Sequence, residues 1–305
     1  MNPLTPLKYI ATFVLSIGLL LVATARSTSA DNLIINGDFE TDDFTGWTTT
    51  PAATGSNFGV TTLPPAHDTL GAFFGATAAD VDSISQTFAT TPGAFYTLTF
   101  FYQVGNPTPP QLANNYFNVL FNGVSPDTFL FPQSDVNPGF GTFTFTNLQA
   151  TGTMTTLEFQ SRNAASVFGG FDYVDDVSVT AAPCPQTQGY WKNNPDAWPV
   201  DSLTLGSQTY TKTELLTILT TATRGDASLI LAHQLIAAKL NIANGSGEPA
   251  PVSSTITHAD SVLSGFSGKL PYHVKPSSPN GQAMVTDATT LDNYNNGLLT
   301  SGCGG

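Results

Sequence analysis

The sequence predicts two unlike domains in one exported chain, an all-β jelly-roll sandwich over residues 31–182 and a small, mainly α-helical domain over 183–305. Three observations carry that expectation. The apolar period is two in the first part and 3.6 in the second. Charge and phenylalanine content both change at Ala181-Ala182-Pro183: residues 31–182 hold 14 acidic side chains and one basic, residues 183–305 hold 8 acidic and 6 basic, and 19 of the 21 Phe lie between Phe39 and Phe171. Residues 1–30 have the form of a secretory signal peptide, with an apolar run from Tyr9 to Val22 followed by small residues at Ala23-Thr24-Ala25 and Thr28-Ser29-Ala30. At 305 residues with 41% hydrophobic and 10% charged side chains, the chain can bury two cores and is too apolar to be disordered.

In the first domain Tyr96, Leu98, Phe100 and Tyr102 alternate with Thr97, Thr99, Phe101 and Gln103, and Phe143-Thr144-Phe145 and Leu157-Glu158-Phe159 repeat the pattern. Turn signals at Thr91-Pro92-Gly93, Asn122-Gly123 and Asn137-Pro138-Gly139 separate these strands. In the second domain Thr211 and Glu214 form a capping box, with Tyr210 and Leu215 as its staple, opening a helix that Gly225 stops. Asp226 caps a second helix, whose Leu229, Ile236 and Leu240 share a face and which Asn244-Gly245 ends. Further helices are expected near 254–263 and 282–294.

A formal charge of −13 excludes nucleic acid and anionic membrane surfaces as partners, since neither releases counterions to an acidic protein. It leaves a basic ligand, a neutral polysaccharide or a cation. The apolar run is short for a membrane span and nothing later in the chain resembles one, so the mature protein is expected outside the cell or at its surface. Export lets Cys184 and Cys303, the only cysteines, form a disulfide that ties the ends of the helical domain together.

The first domain resembles the galactose-binding-like jelly rolls that include many carbohydrate-binding modules and exported bacterial sandwich proteins. The landmarks are Asn32-Leu-Ile-Ile-Asn-Gly-Asp-Phe-Glu40 with Phe44-Thr-Gly-Trp47, then Ile84-Ser-Gln-Thr-Phe88 with Pro92-Gly-Ala-Phe-Tyr-Thr-Leu98, then Phe171-Asp-Tyr-Val-Asp-Asp-Val-Ser-Val179. The second domain resembles an uncharacterised module of secreted bacterial proteins that opens with Thr187-Gln-Gly-Tyr-Trp-Lys192. The sorting tail with a Pro-Glu-Pro motif, common in exported sandwiches of the first kind, does not occur in the sequence. The first resemblance implies one structural Ca²⁺ where the first and last strands meet, with Glu40 and Asp176 as ligands and Asp38 and Asp175 in reserve, completed by backbone carbonyls.

If Leu98, Phe100, Val119, Phe121, Leu157 and Phe159 face the core, alternation sends Phe101, Gln103, Tyr116, Asn118, Glu158, Gln160 and Arg162 to the other face. Amide, carboxylate, guanidinium and aromatic groups together are what recognition of sugar hydroxyls requires. Trp47, Trp191 and Trp198, with Tyr190, read as core rather than as sugar platforms, and His233 reads as a core histidine. His258 and His273 have no partner at metal-ligand spacing, and neither a Gly-x-Ser-x-Gly elbow nor a phosphate-cradling loop occurs. The expected function is therefore non-catalytic binding of glycan or extracellular matrix through the sandwich. The alternatives are an adhesive surface protein that binds other protein and a glycan-active hydrolase.

Overall fold

The computed structural model describes residues 31–62, 70–76, 80–104, 115–125, 141–163 and 172–303. The signal segment 1–30 and the turn at 137–139 lie outside the described residues, as do the side chains of Val104, Asn115, Tyr116 and Asn163.

The strands of the first domain are β1 (Thr48–Thr50), β2 (Phe58–Thr61), β3 (Gly71–Phe74), β4 (Asp82–Ala89), β5 (Phe95–Val104), β6 (Asn115–Phe121), β7 (Gly141–Gln149), β8 (Met154–Asn163) and β9 (Asp172–Ala181). They make two antiparallel sheets, ordered β1-β4-β8-β6 and β2-β3-β9-β5-β7. The expected alternation holds: Tyr96, Leu98, Phe100 and Tyr102 of β5 meet Phe117, Val119, Phe121, Leu157 and Phe159 of the opposite sheet in one buried core. The rings interlock, with centroids 5.1 Å apart for Phe100–Phe159 and 4.3 Å for Tyr102–Phe117. Each buried ring contributes roughly 1.5–3 kcal/mol by leaving water. Polar groups enter this core only with partners. Asp172 accepts from the hydroxyls of Tyr102 (2.6 Å) and Ser161, and burial, reinforced by that carboxylate, keeps the Tyr102 phenol protonated well above its usual range.

The opening landmark departs from expectation. Residues 32–40 form no regular strand, since Asn36 and Phe39 adopt positive φ. The segment nonetheless lies along β9, with Leu33 N–H donating to Val179 O and Val177 N–H to Gly37 O. Its side chains do the pairing: Asn32 donates to Val177 O and accepts from the N–H groups of Ile34 and Val179, and the Gln86 amide both accepts from and donates to the backbone of Ile35. Gly37 has to be glycine, because a Cβ there would stand 2.1 Å from Val177 O. Trp47 is buried as expected and donates to Asn36 O.

In the second domain α1 (Gln188–Asn193) and a hairpin, β10 (Ser202–Leu205) with β11 (Gln208–Thr211), precede α2 (Lys212–Thr220), α3 (Ala227–Ala243), α4 (Ala250–Ser264) and α5 (Pro279–Asn295). The capping box of Thr211 and Glu214 is present, but α2 ends at Thr220 rather than running to Gly225. Tyr210, the residue before that cap, ends up on β11 and shares the buried core with Leu215. The core is separate from that of the sandwich and is built on Trp191, Tyr210, Tyr294 and the aliphatic residues of α3. A polar knot sits inside it. Asn241 accepts from the Trp191 indole N–H (2.9 Å) and the Gln186 N–H (2.7 Å) and donates to Gln186 O and to Asn295, which itself donates to Gln234. Thr187 caps α1, which turns Trp191 toward Asn241.

Asp226 caps α3 and accepts from Ser228 and from the N–H groups of His273 and Val274, so one carboxylate also fastens the 270–274 strap. Burial raises its pKa, but these bonds outweigh burial and hold the carboxyl below the ordinary 3.8. Cys184 and Cys303 are joined with Cα atoms 5.4 Å apart, as expected.

Three outcomes follow from these contacts. Asn241→Leu leaves two buried donors unmet at about 1–3 kcal/mol each, so urea melts should show a loss of at least about 2 kcal/mol; an unchanged midpoint refutes the knot. Changing both cysteines to serine frees a loop of 119 residues and should cost about 4–5 kcal/mol before strain is counted, with the oxidised protein running as a monomer on non-reducing gels. The stability that Asp226 contributes is complete above the ordinary value of 3.8 and is lost as pH falls through its lower folded-state value, so Asp226→Ala should flatten the acid limb of the stability–pH curve.

Candidate functional site

The sequence-predicted binding residues do not share one face. Gln103 lies on β5 in the five-stranded sheet, whereas Asn118, Glu158, Gln160 and Arg162 lie on β6 and β8 in the four-stranded sheet, on the opposite side of the sandwich. The six residues expected to face the core are buried there, but alternation does not specify which sheet a strand joins. Tyr116 pairs with Arg162 across β6 and β8, and its side chain lies outside the described residues.

On the four-stranded sheet the polar side chains serve one another. Gln160 donates to Glu158 (2.9 Å), Asn118 donates to Gln160 (3.5 Å), and Ser125 donates to Asn118 (3.3 Å). Register places Ser83 opposite Gln160 and Ser85 opposite Glu158, which extends a hydroxyl and amide surface with no described aromatic ring on it.

The outer face of the five-stranded sheet is different. Register sets Gln103 beside Tyr173 and Tyr173 beside Phe73, with Gly59 of β2 opposite Phe73. The missing side chain of Gly59 admits the Phe73 ring, since a Cβ there would stand 2.2 Å from it. Phe73 therefore lies over the neighbouring strand, its centroid 6.4 Å from that of Tyr173, and both rings are half-buried. Burial pushes the Tyr173 phenol up, so it stays a neutral donor. One row along β5, Phe101 and Asp175 point to the same side but are closed off from solvent, so Phe101 offers no stacking surface.

Gln103 is 9% exposed, and its Oε1 is buried with no hydrogen-bond partner. Asn36 Oδ1, Ser246 Oγ and Thr300 Oγ1 share that state in irregular segments, Asn36 next to Trp47, whereas Gln103 lies on a strand with Tyr173 opposite it. A buried amide oxygen beside half-exposed rings can take a hydroxyl proton while a ring carries the C–H face of the same ligand. Phe73 and Tyr173 were missed from sequence. For Phe73 a signal was present: consecutive residues of a strand face opposite ways, so one of Phe73 and Phe74 had to point outward.

The expected calcium corner exists as a backbone junction, because the 32–40 segment does meet β9. Among the carboxylates there, Glu40 accepts from Leu70 N–H (2.9 Å), Asp38 from Glu40 N–H (3.4 Å) and Asp175 from Asp176 N–H (2.8 Å), and Asp176 is exposed at positive φ. Among the described residues no three His, Cys, Asp or Glu side chains gather as a metal site would require.

In the second domain Trp191 and Trp198 are core residues as expected, whereas Tyr190, expected in the core with them, is exposed and packs edge-on against Trp191. His233 is half-buried and bonds Ile218 O at 2.8 Å, with burial the main cause lowering its pKa. His258 has a partner that spacing did not reveal, the carboxylate of Asp287 on α5. No helix among the described residues is long and apolar enough to cross a membrane.

No family model matches the sequence, and no curated protein matches it. Among solved structures the chain is similar to the enzymatically active domain of tailspike protein 4 of bacteriophage CBA120, at 12% identity and TM-score 0.34 over 49% of this chain and 21% of that one. It is also similar to the TmCBM61 module solved with β-1,4-galactotriose (11% identity, TM-score 0.35, 50% of this chain and 99% of that one). A third is the CBM22-1 xylan-binding domain of Paenibacillus barcinonensis Xyn10C (15% identity, TM-score 0.34, 51% of this chain and 97% of that one). The chain thus spans about a fifth of the tailspike domain's length and nearly the whole of the two modules. Similarity at this level assigns no ligand to the chain.

Proposed function

We propose that this is an exported, non-catalytic protein whose sandwich binds a neutral polysaccharide on the outer face of its five-stranded sheet, around Gln103, Tyr173 and Phe73. The observation that carries the reading is the unbonded, buried Oε1 of Gln103 beside two half-buried rings. Leaving such an acceptor unmet costs about 1–3 kcal/mol, a cost that a bound hydroxyl relieves. The acidic charge of the sandwich favours a neutral ligand over an anionic one. The surface of Asn118, Gln160 and Glu158 is the weaker candidate, because its groups already bond one another.

Native gels containing xylan, β-1,4-galactan or another neutral polysaccharide test the reading by retardation of the full mature chain. Gln103→Leu should weaken retardation by about tenfold while leaving the melting temperature unchanged or raised, since it removes an unmet buried acceptor. Tyr173→Ala should weaken it as well. A Gln103→Leu protein that binds as wild type, or a wild type that no neutral polysaccharide retards, refutes the proposal.

A further inference from the structure

We propose that the groove between the sandwich and the helical domain is a second saccharide site, built jointly by both, and that completing it is what the helical domain contributes. The groove is shallow and open to solvent, with a volume of about 870 Å³, and is lined from the sandwich by Phe95 and Gln149 and from the helical domain by Glu248, Ser254, His258 and Ser261. Phe95 and Gln149 are register partners at one end of β5 and β7, so both point to the outer side of the five-stranded sheet, as Gln103 does. Ser254, His258 and Ser261 stand at i, i+4 and i+7 of α4 and form a single hydroxyl–imidazole–hydroxyl row along the helix.

The imidazole is held in place. His258 Nδ1 lies 3.0 and 2.8 Å from the two carboxylate oxygens of Asp287, which is itself buried on α5. That bond fixes the ring and makes Nε2 the nitrogen left for a ligand in the groove. The two walls are also fixed relative to each other. Glu248 N–H donates to Asn147 on β7 at 2.7 Å, and Gly247 lies so close under the Phe95 ring that a Cβ would stand 2.2 Å from it. Tyr294 of α5 donates to Gly247 O at 2.9 Å and ties the same turn to the helical core.

The lining selects the occupant. Glu248 and Asp287 oppose an anion in a chain of net charge −13, and the groove's mainly apolar surface, set with hydroxyl, amide and imidazole groups, suits a ligand that carries C–H faces as well as hydroxyls. A neutral, polyhydroxylated chain offers donors and acceptors to all three. The site goes beyond the sheet-face proposal and shares its ligand class.

The test uses the full mature chain in native gels containing the same neutral polysaccharides. Ser261→Trp places a bulky ring in the groove from an exposed helix position, so folding is preserved, and His258→Ala removes the oriented nitrogen. Each should weaken retardation about five- to tenfold, and each should combine multiplicatively with Gln103→Leu because the sites lie at opposite ends of β5. Wild-type retardation in both Ser261→Trp and His258→Ala overturns the groove while leaving the sheet face standing if Gln103→Leu is impaired. The reverse pattern supports the groove and overturns the sheet face. Absence of retardation for the wild type on every polysaccharide overturns both.

Discussion

Strand β5 sends Tyr96, Leu98, Phe100 and Tyr102 into the core in alternation, although its register shifts against β7 between Tyr96 and Leu98 and against β9 between Thr99 and Phe101, and the seam with the helical domain is set by the same strand. It is hydrogen-bonded along both edges, to β7 and to β9, so its register cannot slip without breaking two ladders. A slip of one residue would send Tyr96, Leu98, Phe100 and Tyr102 into water and bring Thr97, Thr99 and Gln103 into the core. The same alternation places Phe95 outward at one end, where Gly247 of the helical domain packs beneath it, and Gln103 outward at the other, where Tyr173 and Phe73 flank it. Core, domain seam and candidate site are three consequences of one strand.

Buried polar groups divide into two kinds. Asp172, Gln86, Asp82 and Asn241 are enclosed and fully engaged: Asp172 with two hydroxyls, Gln86 with both polar atoms of the Ile35 backbone, Asp82 with the N–H groups of Ala52 and Asn57, and Asn241 with Trp191, Gln186 and Asn295. Such networks fix a unique packing because every alternative leaves some member unmet. Gln103 Oε1 does not fit this pattern. Asn36, Ser246 and Thr300 each hold a buried oxygen in the same state, and Gln103 differs from them in lying on a strand opposite Tyr173, whose ring is half-exposed.

What could be read from the sequence was local. The alternation in β5 and β8, the cap of Asp226, the capping box of Thr211 and Glu214 and the pairing of the only two cysteines all depend on neighbours in the chain or on elimination, and all are present. What was not legible depends on contacts distant in sequence. Gln103 and Gln160 carry the same outward signal, yet sheet order puts them on opposite sides of the sandwich. Glu40 accepts from the N–H of Leu70, a contact no local pattern indicates, and His258 looks solitary until α5 brings Asp287 alongside. The 32–40 segment reads as a strand because Asn32 and Gln86 supply through side chains the pairing that a regular ladder would supply through its backbone. The β10–β11 hairpin was hidden because its strands are only four residues each, too short for alternation to show.

The central claim is that a neutral polysaccharide contacts the outer side of β5 at both ends, on the Gln103 face and in the groove beneath α4. Hydrogen–deuterium exchange of the full mature chain, with and without the neutral polysaccharide that retards it most, reads both places at once. Slower exchange in residues 95–104, 172–175 and 250–264, with little change in β4 and β6, is the expected result. Protection confined to the four-stranded sheet, or none at all at saturating polysaccharide, would contradict it.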